Sequence, residues 1–359
     1  MRQLILFPIL FAACSSNSAP SGEPPVAAAP TPAPAAAVQA RTSSAAHREG
    51  HAEEVNPRLL RRFKQLRTDF AASGSSKGLE DLGRMLYFDK RLSRDQDLSC
   101  NSCHALDAYG VDGHATSTGE KGQLGKRNSP TVYNAAGHFT DFWDGRALNV
   151  EEQAKGPILN PVEMAMPSGD AVVARLAAIP GYVAAFSAAF PGDAKPLTYE
   201  HVGSAIGAFE RKLVTPSRWD RYLAGDHTAL TSEEAAGFKV FTDIGCMTCH
   251  TGELVGGSMF QKVGVQRAWP NQTDQGRINV TKAPSDAMLF KVPSLRNVAK
   301  TAPYFHDGSA KTLPEAVKMM AQYQLAEDLS DDDINSIIAW LGALTGDLPK
   351  DYITPPTLP

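Results

Sequence analysis

Long apolar runs are missing from this chain, and so are blocks of like charge. The apolar stretch Leu4 to Ala13 is too short to span a bilayer as a permanent helix. The 359 residues carry 35 Lys and Arg against 39 Asp and Glu, a net charge of −4, with no basic cluster. Nucleic acid is therefore not an expected partner. Strand signals are few, which argues against a β architecture. Cysteine is scarce, at five residues. One is Cys14; the others form two close pairs, Cys100 with Cys103 and Cys246 with Cys249. None is left over for a disulfide framework, so stability has to come from buried cores. A chain of this length suffices for two domains.

What is present is more telling. Both pairs are followed directly by histidine, as CNSCH at 100–104 and CMTCH at 246–250. Cys-x-x-Cys-His is the attachment signature of a c-type haem, with the histidine as one axial ligand. By composition one such match arises by chance at roughly 0.002 per chain. A zinc site is the alternative use of Cys pairs and His. Zinc ligands usually come as two separated knuckles, whereas here each pair has its own adjacent His. Two covalently attached haem c groups are expected, at Cys100, Cys103 and His104 and at Cys246, Cys249 and His250.

The N-terminus reads as an export signal. Arg2 supplies the charge, Leu4 to Ala13 the apolar core, and Phe11-Ala12-Ala13-Cys14 resembles a bacterial lipobox. Cys14 is then expected to carry lipid, which places the protein on the periplasmic side of a bacterial envelope. Residues 15–56 begin with a run rich in Ser, Pro and Ala and nearly without charge. Such a segment cannot offset its ordering entropy and reads as a disordered tether.

The two motifs lie 146 residues apart, so each haem can have its own domain, 57–225 and 226–359. Each is preceded by a helix with a glycine inside it, Gly83 in 78–88 and Gly237 in 232–241. A mid-helix glycine costs about 1 kcal/mol of propensity and usually marks close packing against another helix. Thr231 with Glu234, and Thr312 with Glu315, make capping boxes. Further helices are expected over 170–176, 198–213 and 330–344, the last with a stripe of Ile334, Ile337, Ile338, Leu341 and Leu344. The class is mainly α, with two cytochrome c-like units and long loops at 105–140 and 251–312. Loops of that length are usually functional.

Each haem needs a sixth ligand or an open face, and that choice decides between electron transfer and chemistry. In the helix after Thr312, Leu313, Val317 and Met320 fall on one apolar face, and Met319 lies beside Glu315 and Tyr323 on a more polar one. Periodicity thus makes Met320 the inward methionine, as a plain core residue or as a ligand.

Several segments are specific enough to name a resemblance: RLSRDQDLSCNSCH, KRNSPTVYNA, FWDGRA, EEQAKGPILNPVEM, FKVPSLRNVAKTAPYFHDGS and AVKMM. Over nearly all of the chain after residue 57, it resembles the bacterial di-haem cytochrome c peroxidases. The resemblance implies a peroxide site at the first haem and an electron-entry haem with His250 and Met320 as ligands. It implies Glu163 as acid–base group, Trp143 as electron bridge, and a Ca²⁺ held by the Asn128 side chain and the carbonyls of Thr301 and Pro303. His306 matches a position near the haems. In many relatives a loop histidine blocks the first iron until the second haem is reduced. A gapless alignment from His104 to Arg127 places Glu120 at that position, between Gly119 and Gly122; His114 falls out of register. The first iron is then expected to lack its distal histidine.

The function implied is reduction of hydrogen peroxide to water. Electrons would come from a small soluble donor, a cytochrome c or a cupredoxin, and a homodimer is possible by analogy. Two rivals stand beside it. A non-catalytic electron carrier would need both irons six-coordinate. A peroxide-dependent oxidase of a protein or organic substrate is the other; the related subfamily that oxidises protein side chains carries Tyr where Met320 stands.

Overall fold

The computed structural model describes residues 55–71 and 75–359. The expectations for Cys14 and for nearly all of the tether lie outside the described residues. Val55, assigned by sequence to the tether, is buried in a core with Phe63, and Asn56 caps the turn that follows, so the folded body includes both.

Helices dominate. Those of eight or more residues are α1 (Lys77–Phe88), α2 (Val150–Leu159), α3 (Gly169–Ala177), α4 (Pro180–Ala189), α5 (Tyr199–Glu210), α6 (Ser232–Asp243), α7 (Leu313–Met320) and α8 (Asp331–Ala343). The expected helices agree with the observed ones to within a few residues at each end, because their N-caps are local. Ser76, Thr198, Thr231, Thr312 and Ser330 each accept a backbone N–H from the first turn. Helix α2 escaped the sequence reading, since Pro157 lies inside it. The only sheet among the described residues is a two-stranded antiparallel pair, β1 (Phe260–Lys262) and β2 (Leu289–Lys291), with Gln261 opposite Phe290.

Two apolar cores divide these elements. The first packs α1, α4 and α5 through Leu82, Leu86, Phe186, Ile206 and Phe209. The second packs α6 and α8 through Phe238, Phe241, Ile337, Trp340 and Leu341. The two ends of the described body cross over. Phe63 lies edge-on to Trp219 in the second core, and Ile353 is buried in the first.

The glycine expectation has a direct counterpart. A Cβ on Gly83 would lie 1.8 Å from the Ala205 carbonyl oxygen of α5, and one on Gly237 would lie 1.8 Å from that of Ser336 in α8. Both cores thus repeat one device: a helix bearing glycine lies against the backbone of its partner and leads into a Cys-x-x-Cys-His turn. In α8 the stripe is buried as expected, but its centre is Trp340, fully buried, and Ile338 is only half-buried.

Helix α7 divides its contacts. Leu313 and Val317 pack on the second core, while Met320 packs on a separate cluster around Trp269, Met288 and Phe290. Met319 is half-buried and belongs to that cluster too, so its surroundings are apolar rather than polar. The reason lies beyond the helix. The next turn, Ala321–Leu325, widens to π geometry, a distortion common at functional sites, and loop residues 263–269 fold over it.

Candidate active site

The first motif sits on a single helical turn, Cys100–Cys103, with Ser99 and Ser102 capping each other. Tyr87 of α1 donates its hydroxyl to the His104 carbonyl at 2.7 Å. Asn101 Oδ1 accepts the Leu106 N–H, and Tyr133 donates to the Leu106 carbonyl. The turn is therefore held from both sides. Burial pushes the His104 imidazole down in pKa, and its Nδ1 is buried without a hydrogen bond of normal geometry. The backbone at Gly110 and Pro130 opposes that shift only in part.

In the second motif burial holds the His250 imidazole neutral, at about 4. Its Nδ1 lies 3.2 Å from the Val255 carbonyl, an acceptor that places the proton on Nδ1 and leaves Nε2 as a lone pair. Gly256 permits the approach: its φ is +133° and a Cβ would meet the Pro293 carbonyl at 2.1 Å. Burial raises both leading thiols, that of Cys246 to about 12.

These features fit covalent haem c. All four motif cysteines are free, and burial lowers the pKa of both motif imidazoles, which leaves them neutral. Among the described residues no group of three or more His, Cys, Asp or Glu converges as a metal site.

Beside the first motif lies a turn at Asn160–Ala165, gripped on two sides. Arg94 donates its backbone N–H to the Met164 carbonyl at 2.8 Å and Nε to the Ala165 carbonyl at 2.9 Å. From the other side the Glu120 N–H bonds the carbonyls of Val162 (3.1 Å) and Glu163 (2.8 Å). Gly119 makes that contact possible, because a Cβ there would lie 2.0 Å from the Val162 oxygen.

Glu163 is half-buried, and Asn160 Nδ2 donates to its Oε1 at 2.8 Å. Burial raises the Glu163 carboxyl, while Arg146 and the Asn160 bond hold it back. Burial raises the Cys103 thiol, and the charges of Asp112 and Glu163 add to that, so Glu163 lies in the electrostatic neighbourhood of the first motif. Glu120 is 1% exposed, and neither carboxylate oxygen has a hydrogen-bond partner. Arg94 and Lys121 approach one of them only to 3.7 and 4.0 Å. His114 is largely exposed: its N–H donates to Asp112 Oδ1, its Nδ1 lies 3.7 Å from Asp112 Oδ2, and its carbonyl accepts from Asn128 Nδ2.

Trp143 lies between the two halves of the chain. Its Nε1 donates to the Asn128 carbonyl at 2.9 Å, and its carbonyl accepts the Lys291 N–H of β2. Its ring stands edge-on to His306 at 6.3 Å. The Asn128 N–H donates to the His306 carbonyl, so Asn128 ties Trp143 to the loop that also carries Thr301 and Pro303. Met320 shares the Trp269 cluster with Trp143.

Sequence reasoning missed several residues here. Arg146, inside the quoted FWDGRA segment, is the charge that acts on Glu163. It is bound to Asp144, which Arg127 also holds, at 2.6 Å. Lys291 is buried against His138 at 2.9 Å, and burial lowers it to about 8. Trp269 carried no motif; a tryptophan in a Pro- and Gln-rich loop gives no sign that its ring turns inward.

Comparison with known proteins places this arrangement. The family model for the di-haem cytochrome c peroxidases matches residues 77–228. Cytochrome c551 peroxidase of Nitrosomonas europaea is 43% identical over 291 residues, 80% of this chain and 86% of that protein. Its Pseudomonas aeruginosa counterpart is 44% identical over 289 residues, 79% of this chain and 83% of that protein. Among solved structures, a MauG-like protein associated with microbial copper homeostasis is similar, with a TM-score of 0.71 at 28% identity, covering 82% of this chain and 97% of its own. This chain belongs to the di-haem cytochrome c peroxidase family.

Proposed function

We propose that the protein is a cytochrome c peroxidase that reduces hydrogen peroxide to two waters, with electrons from a small cytochrome c or cupredoxin. The observation that carries this reading is Glu163, a carboxyl raised by burial and held on a doubly gripped turn near the first Cys-x-x-Cys-His motif. Cys100 and Cys103 would attach one haem and Cys246 and Cys249 the other. His104 would ligate the first, and His250 with Met320 the second. Haem c supplies, when bound, an iron that receives peroxide and exchanges single electrons.

The chain's own part is proton handling and electron routing. Asn160 occupies Glu163 Oε1 and leaves Oε2 to take the proton from the near peroxide oxygen and return it to the far one. Arg146, tied to Asp144, limits how far burial raises that carboxyl, so it can cycle between acid and base. Trp143, packed in one cluster with Met320, carries electrons between the two sites. By alignment Glu120 stands where many relatives carry a blocking histidine; its carboxylate is buried without a hydrogen bond, and its backbone grips the Glu163 turn. A carboxylate binds ferric haem more weakly than imidazole does, so the oxidised protein reacts with peroxide without prior reduction.

A Ca²⁺ at Asn128 Oδ1 and the carbonyls of Thr301 and Pro303 would suit the hard oxygen donors there. It would brace the Asn128–His306 junction under Trp143. Lipid on Cys14, a periplasmic location and a homodimer complete the proposal; sequence and family likeness support them. Peroxide consumption by the holoprotein, followed with reduced cytochrome c, tests the reading. Electron uptake with no peroxide loss would leave a plain electron carrier. Peroxide loss only with an organic or protein co-substrate would leave the oxidase.

A further inference from the structure

The cluster that holds Met320 continues past Trp143 as a chain of aromatic rings. Trp143 meets His306 at 6.3 Å, and His306 meets Trp269 at 6.4 Å. Trp269 then meets Tyr323 edge-on at 5.3 Å. Trp269 is 2% exposed, whereas Tyr323 is partly open. The last step therefore runs from a buried ring to one that is partly open.

The positions are tightly determined. The Tyr323 carbonyl accepts the N–H groups of both Gln266 and Arg267, which ties the Trp269 loop to the π-helical turn after Met320. Gln324 accepts the Val265 N–H and donates to the Lys262 carbonyl, and Arg267 donates to the Ala326 carbonyl. Phe305 closes the Trp269 ring from another side at 4.8 Å. A loop fixed by this many backbone bonds holds its tryptophan in one place. Core packing alone would be served as well by leucine; tryptophan and tyrosine are the side chains that also yield an electron.

We infer that Trp269 and Tyr323 form an oxidisable pair that drains oxidising equivalents from the peroxide site when no donor supplies electrons. The inference rests on the peroxidase reading and on Trp143 as the bridge. The step balances. Hydrogen peroxide takes two electrons and two protons to become two waters. Without donor, Tyr323 loses one electron and its phenolic proton, and Trp269 loses one electron and its Nε1 proton. The products are two waters, a tyrosyl radical and a neutral tryptophanyl radical. Arrival of the donor's electrons restores both residues. The damage is thereby directed to a recoverable pair near the surface and away from Met320, whose thioether would oxidise to the sulfoxide.

The test uses the full holoprotein mixed with excess hydrogen peroxide and no donor, then freeze-quenched for EPR. It is run on fully oxidised protein and on protein carrying one electron, so the reactive state is sampled whichever it is. Ring-deuterated tyrosine or tryptophan assigns the signals. Wild type is expected to show a tyrosyl and a tryptophanyl radical. Tyr323→Phe, which removes only a hydroxyl, is expected to lose the first and keep the second. Trp269→Phe is expected to lose both, and oxygen addition mapped by mass spectrometry should move from residues 269 and 323 to Met320 or Trp143. Radicals that persist in both variants overturn the inference, as does oxygen addition that is spread over the surface in wild type. Donor-fed peroxide turnover of wild type separates the two readings. An active enzyme without these radicals overturns the relay alone, whereas an inactive one overturns the peroxidase reading and the relay with it.

Discussion

Replacing Glu163 by glutamine isolates the proton from the shape. Glutamine keeps an oxygen to accept the Asn160 Nδ2 hydrogen bond at 2.8 Å, and the backbone bonds from Glu120 and Arg94 do not involve the side chain. The turn should stay in place while its capacity to shuttle a proton vanishes. Positioned proton transfer is worth roughly 10²–10⁴ in rate, or about 2.7–5.4 kcal/mol of barrier. Wild-type turnover should rise with pH through a value above the ordinary glutamate range, because burial raises this carboxyl more than Arg146 and Asn160 lower it. Glu163→Gln should abolish that limb of the profile. Stability should move the other way. A carboxyl raised in the folded state stabilises fully below its unfolded pKa and loses that contribution as pH rises through the folded value. At neutral pH glutamine removes the burden of a buried charge, so the variant should melt no lower than wild type. Steady-state kinetics across pH and thermal melts of the holoprotein check both. Turnover within a few-fold of wild type, or an unchanged pH limb, refutes the assignment and points to Glu120.

Met320→His should keep the second haem six-coordinate but lower its potential, since thioether ligation favours ferrous iron; redox titration checks this, and an unchanged potential removes Met320 from the site. The oxidised wild type should show a high-spin haem by EPR and react with peroxide directly, whereas Glu120→His should give a low-spin resting state that opens only on reduction. Two low-spin haems in wild type, inert until one electron is added, would contradict this. Gly237→Ala should cost about 1–3 kcal/mol despite the better helix propensity of alanine, because its Cβ meets a backbone oxygen that cannot turn aside. A melting temperature at or above wild type would show that α6 and α8 are not in close contact.

The chemistry-bearing residues were legible wherever their signal is local. A Cys-x-x-Cys-His turn needs only five residues, and the capping boxes at Thr231 and Thr312 need four, so both could be read without knowing what packs on them. Gly83 and Gly237 were readable for the same reason: a mid-helix glycine costs propensity wherever it stands, so its presence implies a partner helix. Glu163 and Trp143 gave no such sign, and it was the resemblance that marked them.

Tertiary packing decided the rest, because it joins groups far apart in the chain. Glu120 reaches the Glu163 turn, 43 positions further along the chain, through a single N–H shared between two carbonyls, and its carboxylate is buried without a hydrogen bond. Helical periodicity assigned Met319 to a polar face, since it counts only neighbours on the same helix. The π-helical turn and the loop folded over it make that face apolar. Trp269 belongs with Trp143 and Met320 because one loop is bonded, backbone to backbone, onto the end of a distant helix. Sequence alone thus determined which groups could bind haem, since that depends on covalent neighbours. Only the packed structure decided which carboxylates and rings meet, since that depends on where loops without periodicity come to rest.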